Sequence, residues 1–220
     1  MIKGIRHIIF DLGGVLLNID YQLTEQAFVR LGIENFSDIY SQLRQANLFD
    51  ELETGKISTS EFYGQLRSGC NIDVEDHQLE QAWNAMLLDM PLRRLQILQQ
   101  LRIYHDLVLL SNTNEIHEAA FNKIIAGTHG YTIGAFFDRV YYSHRIGMRK
   151  PDAEVFEMIL NENGFAAEHT LFIDDSPQHV EGAKKLGIQT IWLEKGMTIE
   201  EDIFKPKAPA GPGSSDGGAG

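Results

Sequence analysis

Residues 171–193 read LFIDDSPQHVEGAKKLGIQTIWL and contain one repeating unit of the fold. Leu171-Phe172-Ile173 is a short apolar run of the kind that forms a strand buried on both faces. Two acidic residues end it, and Pro177 then sits near the start of a helix whose apolar side chains are Val180, Ala183 and Leu186. Gly187 closes that helix, and Thr190-Ile191-Trp192-Leu193 supplies a second strand. Strand, helix and strand in this order imply a parallel crossover.

The same pattern extends towards the N-terminus. Further apolar runs lie at Ile8-Ile9-Phe10, Leu107-Val108-Leu109-Leu110 and Val140-Tyr141-Tyr142, all expected to be buried strands, and Val155, Phe156, Ile159 and Leu160 mark a helix closed by Gly164. The fold class expected is α/β, a Rossmann-like doubly wound parallel sheet. The gap between the first two runs is far too long for one crossover helix. Residues 18–90 carry helix signals without strands, including Leu23, Ala27, Phe28 and Leu31 before Gly32, a Ser58/Glu61 capping box, and the row Leu79, Trp83, Met86. Pro91 opens the helix of Leu92, Leu95, Leu98 and Leu101 that returns to the sheet. The expected division is a core of residues 1–17 and 91–204, an inserted helical-bundle cap at 18–90, and a flexible Gly/Pro/Ser/Ala tail at 205–220.

With 19 Lys and Arg against 31 Asp and Glu, the net charge is −12, which disfavours a nucleic-acid partner. The only cysteine, Cys70, permits neither an intrachain disulfide nor a thiolate cluster, and Asp11 interrupts the first apolar run too early for a signal sequence or membrane span. A cytoplasmic protein is expected, with no membrane partner; monomer and dimer cannot be told apart. His7, His105, His129 and His144 show no metal-ligand spacing, so zinc is not expected.

In an open parallel sheet, ligands bind beyond the carboxyl ends of the strands. The residues that fall there are Asp11, Ser111 with Asn112, Asp174 with Asp175, and Arg149 with Lys150 ahead of Pro151 and Asp152. Three carboxylates facing one crevice repel, and a hard oxygen-seeking cation such as Mg²⁺ relieves them. Together with the backbone around Gly13 and Gly14, a hydroxyl, an amide and an ammonium, the set suits a phosphoryl group. Asp11 is the expected nucleophile, because a carboxylate needs no prior deprotonation. Lys150 screens its charge from the incoming phosphate, and Ser111 and Asn112 bind substrate.

These residues resemble the haloacid dehalogenase-like hydrolases, in the branch with a helical cap inserted after the first strand. The four motifs of that family are matched in order by IIFDLGGVL (8–16), LVLLSNTN (107–114), GMRKPD (147–152) and LFIDDSPQHVEGAKKLG (171–187). The resemblance implies an aspartyl-phosphate mechanism with Asp11 as nucleophile, Ser111 and Lys150 on the phosphate, and magnesium held by Asp11, Asp174, Asp175 and the Gly13 carbonyl. The second and fourth motifs, with ETGKISTSEF (53–62), are also similar to small bacterial sugar phosphatases of the glucose-1-phosphatase type. One departure stands out: Gly13 occupies the position where most phosphatases of this family carry a second Asp as general acid and base. Asp20 and His117 are the candidate substitutes, each against the plainer reading of a capping or solvated residue.

The expected function is therefore a magnesium-dependent phosphatase of a small phosphorylated metabolite, a sugar phosphate in particular. The alternative is a weak or inactive relative that binds a phosphorylated ligand or a protein partner. Dehalogenation needs no metal, a receiver domain has its acidic pair first in the chain, and a dinucleotide-binding turn needs G-x-G-x-x-G, which DLGGVL lacks. The Phe49 to Lys56 segment is a candidate substrate selector; Glu51, Glu53 and Lys56 have the chemistry to bond sugar hydroxyls, but each taken singly is expected to be a solvated charge.

Overall fold

The computed structural model of the chain describes residues 2–33, 36, 38, 40, 41 and 46–205. Of the expected tail at 205–220, residues 206–220 lie outside the described residues. Five strands, β1 (His7–Phe10), β2 (Asp106–Ser111), β3 (Arg139–Tyr142), β4 (Thr170–Asp174) and β5 (Gln189–Trp192), form one parallel sheet in the order β3-β2-β1-β4-β5. The crossover helices are α5 (Leu92–Leu101), α6 (Glu115–His129), α7 (Ser143–Ile146), α8 (Ala153–Asn163) and α9 (Pro177–Lys184).

The unbroken apolar strands follow from burial on both faces. Ile8, Phe10, Leu107, Leu109, Leu171 and Ile173 join the core on one side of the sheet, while Ile9, Val108, Leu110 and Phe172 join the core on the other. β5 departs from the expectation of a buried strand. It lies at the sheet edge with β4 as its strand neighbour, so Thr190 and Ile191 are only half-buried and Trp192 is exposed. Register places Asp11 one residue beyond β1, beside the end of β4, and its N–H donates to Ile173 O at 3.0 Å. The strand order reverses between β1 and β4, the position where an open sheet leaves a crevice.

The inserted segment contains α1 (Tyr21–Arg30), α2 (Leu48–Glu53), α3 (Thr59–Cys70) and α4 (Asp76–Asn84). They enclose their own apolar cluster, in which Phe28, Phe62, Leu66, Leu79 and Trp83 are buried. The Ser58/Glu61 capping box opens α3 as expected. The chain enters and leaves this segment through two connections that pair with each other. Asn18 N donates to Asp89 O at 2.9 Å, Leu88 N to Asn18 O at 3.0 Å, and Ile19 bridges Leu87 antiparallel.

Phe28 is fully buried and stacks on Phe36 with ring centroids 4.6 Å apart. Phe28→Ala should lower the unfolding free energy of this segment by about 3–5 kcal/mol. Urea denaturation followed by the fluorescence of Trp83, in the same cluster, would measure it; a loss below about 1 kcal/mol would contradict the packing described.

Candidate active site

The site is assembled from strand ends. Asp11 follows β1, Ser111 ends β2, Asp174 ends β4, and Lys150 lies in the turn between α7 and α8. Lys150 is 0% exposed, and its Nζ donates to Asp11 Oδ1 at 2.6 Å and to Asp174 Oδ2 at 2.7 Å. The ammonium also lies 5.5 Å from the centroid of the Phe172 ring, an aromatic face that favours a cation. Asp174 Oδ1 accepts from Ser176 N at 2.7 Å, and His179 Nδ1 reaches both of its oxygens at 3.0 and 3.1 Å.

These contacts set the ionisation of the two aspartates in opposite directions. Burial pushes the Asp11 carboxyl up to about 7 in spite of Lys150. Burial would raise Asp174 as well, but Lys150 and His179 outweigh it and hold the carboxyl at about 2. Asp175 is raised by desolvation and by the charge of Asp174. Lys150 loses by desolvation and gains more from Asp11 and Asp174, so it stays an ammonium.

Oxygens of Asp11, Asp174 and Asp175 lie within 4.8 Å of one another, the single such donor group among the described residues. Three carboxylates against one ammonium leave uncompensated negative charge, and the charges of Asp174 and Asp175 add to the burial that raises Asp11. An all-oxygen donor set with excess negative charge fits a hard divalent cation. The backbone at Gly14 lets the Asp175 carboxylate approach, with φ +75° and its Cα so close that an added Cβ would collide with Oδ2.

Asn112, read from the sequence as a substrate ligand, is engaged elsewhere. Its Nδ2 donates to Lys150 O and its Oδ1 accepts from Lys150 N, both at 2.9 Å, so the amide clamps the peptide that carries the ammonium. Ser111 is buried at the floor of a cavity of about 580 Å³ that also touches Gly13, Phe49, Glu53, Trp83, His117 and Arg149. Asp20 is a helix cap, its Oδ1 accepting from Gln22 N at 2.9 Å. His117 spans Asn114 Nδ2 at 3.2 Å and Trp83 O at 3.1 Å, and burial lowers its pKa to about 4, so it is a neutral strut with both ring nitrogens occupied. His117 thus has no free nitrogen to replace the missing acid at Gly13, whereas Asp20 is held through one carboxylate oxygen. Glu51 and Lys56 lie off the cavity wall, whereas Glu53 lies on it.

His179 was absent from the sequence reading, and Arg149 lacked a role in it. His179 signals itself only by standing in the first turn of the helix that follows a site carboxylate. Arg149 had been placed at the site without a role; it joins Asp50 and reaches Glu53 Oε2 at 2.9 Å, tying α2 to the loop of Lys150.

At its strand ends the parallel sheet gathers a buried ammonium between two aspartates, a third carboxylate and a hydroxyl, the makings of a cation- and phosphate-binding α/β crevice. The sequence matches the haloacid dehalogenase-like hydrolase family over residues 5–187, and the chain belongs to that family. It is 31% identical over 199 residues to D-ribitol-5-phosphate phosphatase of Bacteroides thetaiotaomicron, spanning 90% of this chain and 97% of the relative. A family enzyme of the same organism, solved with magnesium and inorganic phosphate, is 33% identical with TM-score 0.81, covering 87% of this chain and 96% of that one. A predicted HAD-like hydrolase of Porphyromonas gingivalis is 32% identical, with TM-score 0.78 over 87% of this chain and 92% of that one. Within the family the chain stands with the phosphoric monoester hydrolases.

Lys150→Met should cost about 3–5 kcal/mol near neutral pH, because it leaves two buried carboxylates facing each other unpaired. Without the ammonium both carboxyls take folded pKa values above their unfolded ones, so the deficit should shrink as the pH falls from about 7 towards about 4, where protonation removes the repulsion. Chemical denaturation of both proteins across that range measures it, and a deficit that grows on acidification would contradict the assignment.

Proposed function

We propose that the chain is a magnesium-dependent phosphatase of small sugar or polyol phosphates that works through an aspartyl phosphate at Asp11. The observation that carries this reading is the Lys150 ammonium, bonded at once to Asp11 and Asp174 with Asp175 alongside. A protein that only bound a phosphorylated ligand would have no need of a buried carboxylate held in this way. The similarity to a ribitol-phosphate phosphatase, and the magnesium and phosphate bound by a related enzyme, support the same reading.

Asp11, Asp174, Asp175 and the Gly13 carbonyl would hold the cation. When bound, it supplies the positive charge that lets a phosphate dianion approach this acidic cluster. Asp11 Oδ2 is the oxygen not bonded to Lys150, and it attacks phosphorus as the bond from phosphorus to the alcohol oxygen breaks. Lys150 keeps the other oxygen in place, and Ser111 binds a phosphoryl oxygen. The departing alkoxide takes its proton from water, since no acidic side chain stands at Gly13. A water molecule then attacks phosphorus, gives up a proton, and releases phosphate and the Asp11 carboxylate.

Residues 18–90 act as the cap, excluding bulk water from this reaction. No described helix is long and apolar enough to cross a membrane, and Cys70 is free, which supports a cytoplasmic enzyme.

Asp11→Asn should reduce magnesium-dependent phosphate release from D-ribitol 5-phosphate by more than about 10³-fold while the circular dichroism spectrum is unchanged. Hydrolysis at the original rate would remove Asp11 from its role. Gly13→Asp should raise kcat by about tenfold or more, within the range general acid–base help supplies. The backbone admits the side chain, since a Cβ at Gly13 would stand 3.4 Å from Ile19 Cδ1. An unchanged rate, with the variant folded, would mean that proton transfer to the alcohol does not limit turnover.

A further inference from the structure

The acidic doublet is gripped at its backbone by a residue that the sheet leaves half outside. Trp192 is the last residue of β5 and is 44% exposed, so core packing does not account for it. Its Nε1–H donates to the carbonyl oxygen of Asp175 at 3.0 Å. β5 pairs with β4 as far as Asp174, whose register partner is Trp192 itself, and the backbone ladder ends with Leu193 N donating to Asp174 O at 2.9 Å. The indole therefore adds one more rung, on the residue where the backbone ladder has stopped.

That rung acts on the peptides on either side of the Asp175 Cα. The peptide before it is fixed through Asp174 O. The peptide after it is fixed twice, its carbonyl accepting from Trp192 and its N–H, which belongs to Ser176, donating to Asp174 Oδ1 at 2.7 Å. With both peptides pinned, the direction in which the Asp175 side chain leaves the backbone is set. Asp11 and Asp174 are held by Lys150 through their carboxylates, whereas Asp175 is exposed and enters no ion pair among the described residues. Its carboxylate is aimed by its backbone, and it rests against the Gly14 Cα. An accepted hydrogen bond also polarises a peptide, so the indole strengthens the N–H that Ser176 offers to Asp174.

Resting on the set of cation ligands proposed above, we propose that Trp192 is a positioning residue for the cation: it holds the peptide between Asp175 and Ser176, and through it aims Asp175 and steadies Asp174. It touches neither cation nor substrate. Outer partners of this kind contribute about 10- to 100-fold to metal affinity, and an indole open to water, whose bond a water molecule can replace in part, belongs at the lower end. Fixed geometry favours magnesium over calcium, because magnesium demands a near-ideal octahedron of oxygens while calcium accepts irregular arrangements. Trp192 therefore adds selectivity as well as affinity.

The test is calorimetric titration of the metal-free protein with magnesium and with calcium, in the wild type, Trp192→Phe and Gln189→Ala. Trp192→Phe keeps an aromatic ring at the sheet edge and removes the N–H; Trp192→Leu carries the test should it fold poorly. Gln189→Ala removes the bond from Gln189 Nε2 to Glu168 O at 2.7 Å, at the other end of β5, and controls for a loosened strand. In Trp192→Phe the magnesium Kd should rise by about tenfold and the calcium Kd by less than about threefold, with neither changed in Gln189→Ala. With D-ribitol 5-phosphate as substrate, the magnesium concentration for half-maximal rate should rise in parallel, while kcat at saturating magnesium stays within about twofold. A magnesium Kd within about twofold of the wild type in a folded variant overturns the inference, as does an equal rise for both cations or the same rise in Gln189→Ala. A wild type that binds magnesium but hydrolyses no ester removes the phosphatase reading and leaves this inference to the titrations. One that binds neither cation overturns the inference together with the metal site.

Discussion

A fully buried ammonium bonded to two carboxylates is the constraint on which the rest of this structure depends. Lys150 comes from a turn, and Asp11 and Asp174 from the ends of neighbouring strands, so the three meet only if the parallel register of β1 and β4 is correct. Removing three charges from water is expensive, and it is tolerated because each has partners. Asp174 has Ser176 N and His179 besides Lys150, and the peptide of Lys150 is held on both sides by Asn112. Such an arrangement has little slack. It fixes where the Asp11 carboxylate points before any ligand arrives, which is the preorganisation that the proposed chemistry needs.

The inserted helices are joined to this core by contacts of a different kind. The paired connections at 18–20 and 86–89 are the covalent joins, and Arg149 ties Asp50 and Glu53 of α2 to the loop next to Lys150. Gly55 adds a steric condition. Its φ is +66° and its Cα packs against the His144 carbonyl so tightly that any side chain would collide. The turn after α2 is therefore seated directly on α7, and Glu53 is tied by Arg149 to the same loop that positions the ammonium.

Much of this was legible in the chain because it follows from local rules. The strands are apolar runs of four to six residues, and the site residues fall where those runs end, so sheet, insertion and Asp11, Ser111, Lys150, Asp174 and Asp175 could all be placed. What escaped the sequence depends on three-dimensional neighbours. Asn112 looks like any polar residue after a strand, and its service to Lys150 depends on a contact 38 positions away. Asp20 and His117 had the chemistry of a proton donor, yet one caps α1 and the other is consumed by Asn114 and Trp83. Trp192 belongs to an apolar run like the others, and only the edge position of β5 exposes it.

The central claim is that Asp11 carries the phosphoryl group during turnover. Acid quenching of the enzyme as it hydrolyses D-ribitol 5-phosphate with magnesium, reduction with borohydride, and mass spectrometry of the peptides would locate any acyl phosphate. The account predicts homoserine in place of Asp11 and unmodified Asp174 and Asp175. Reduction at either of those two, or steady turnover with no acyl phosphate trapped at Asp11, would contradict it.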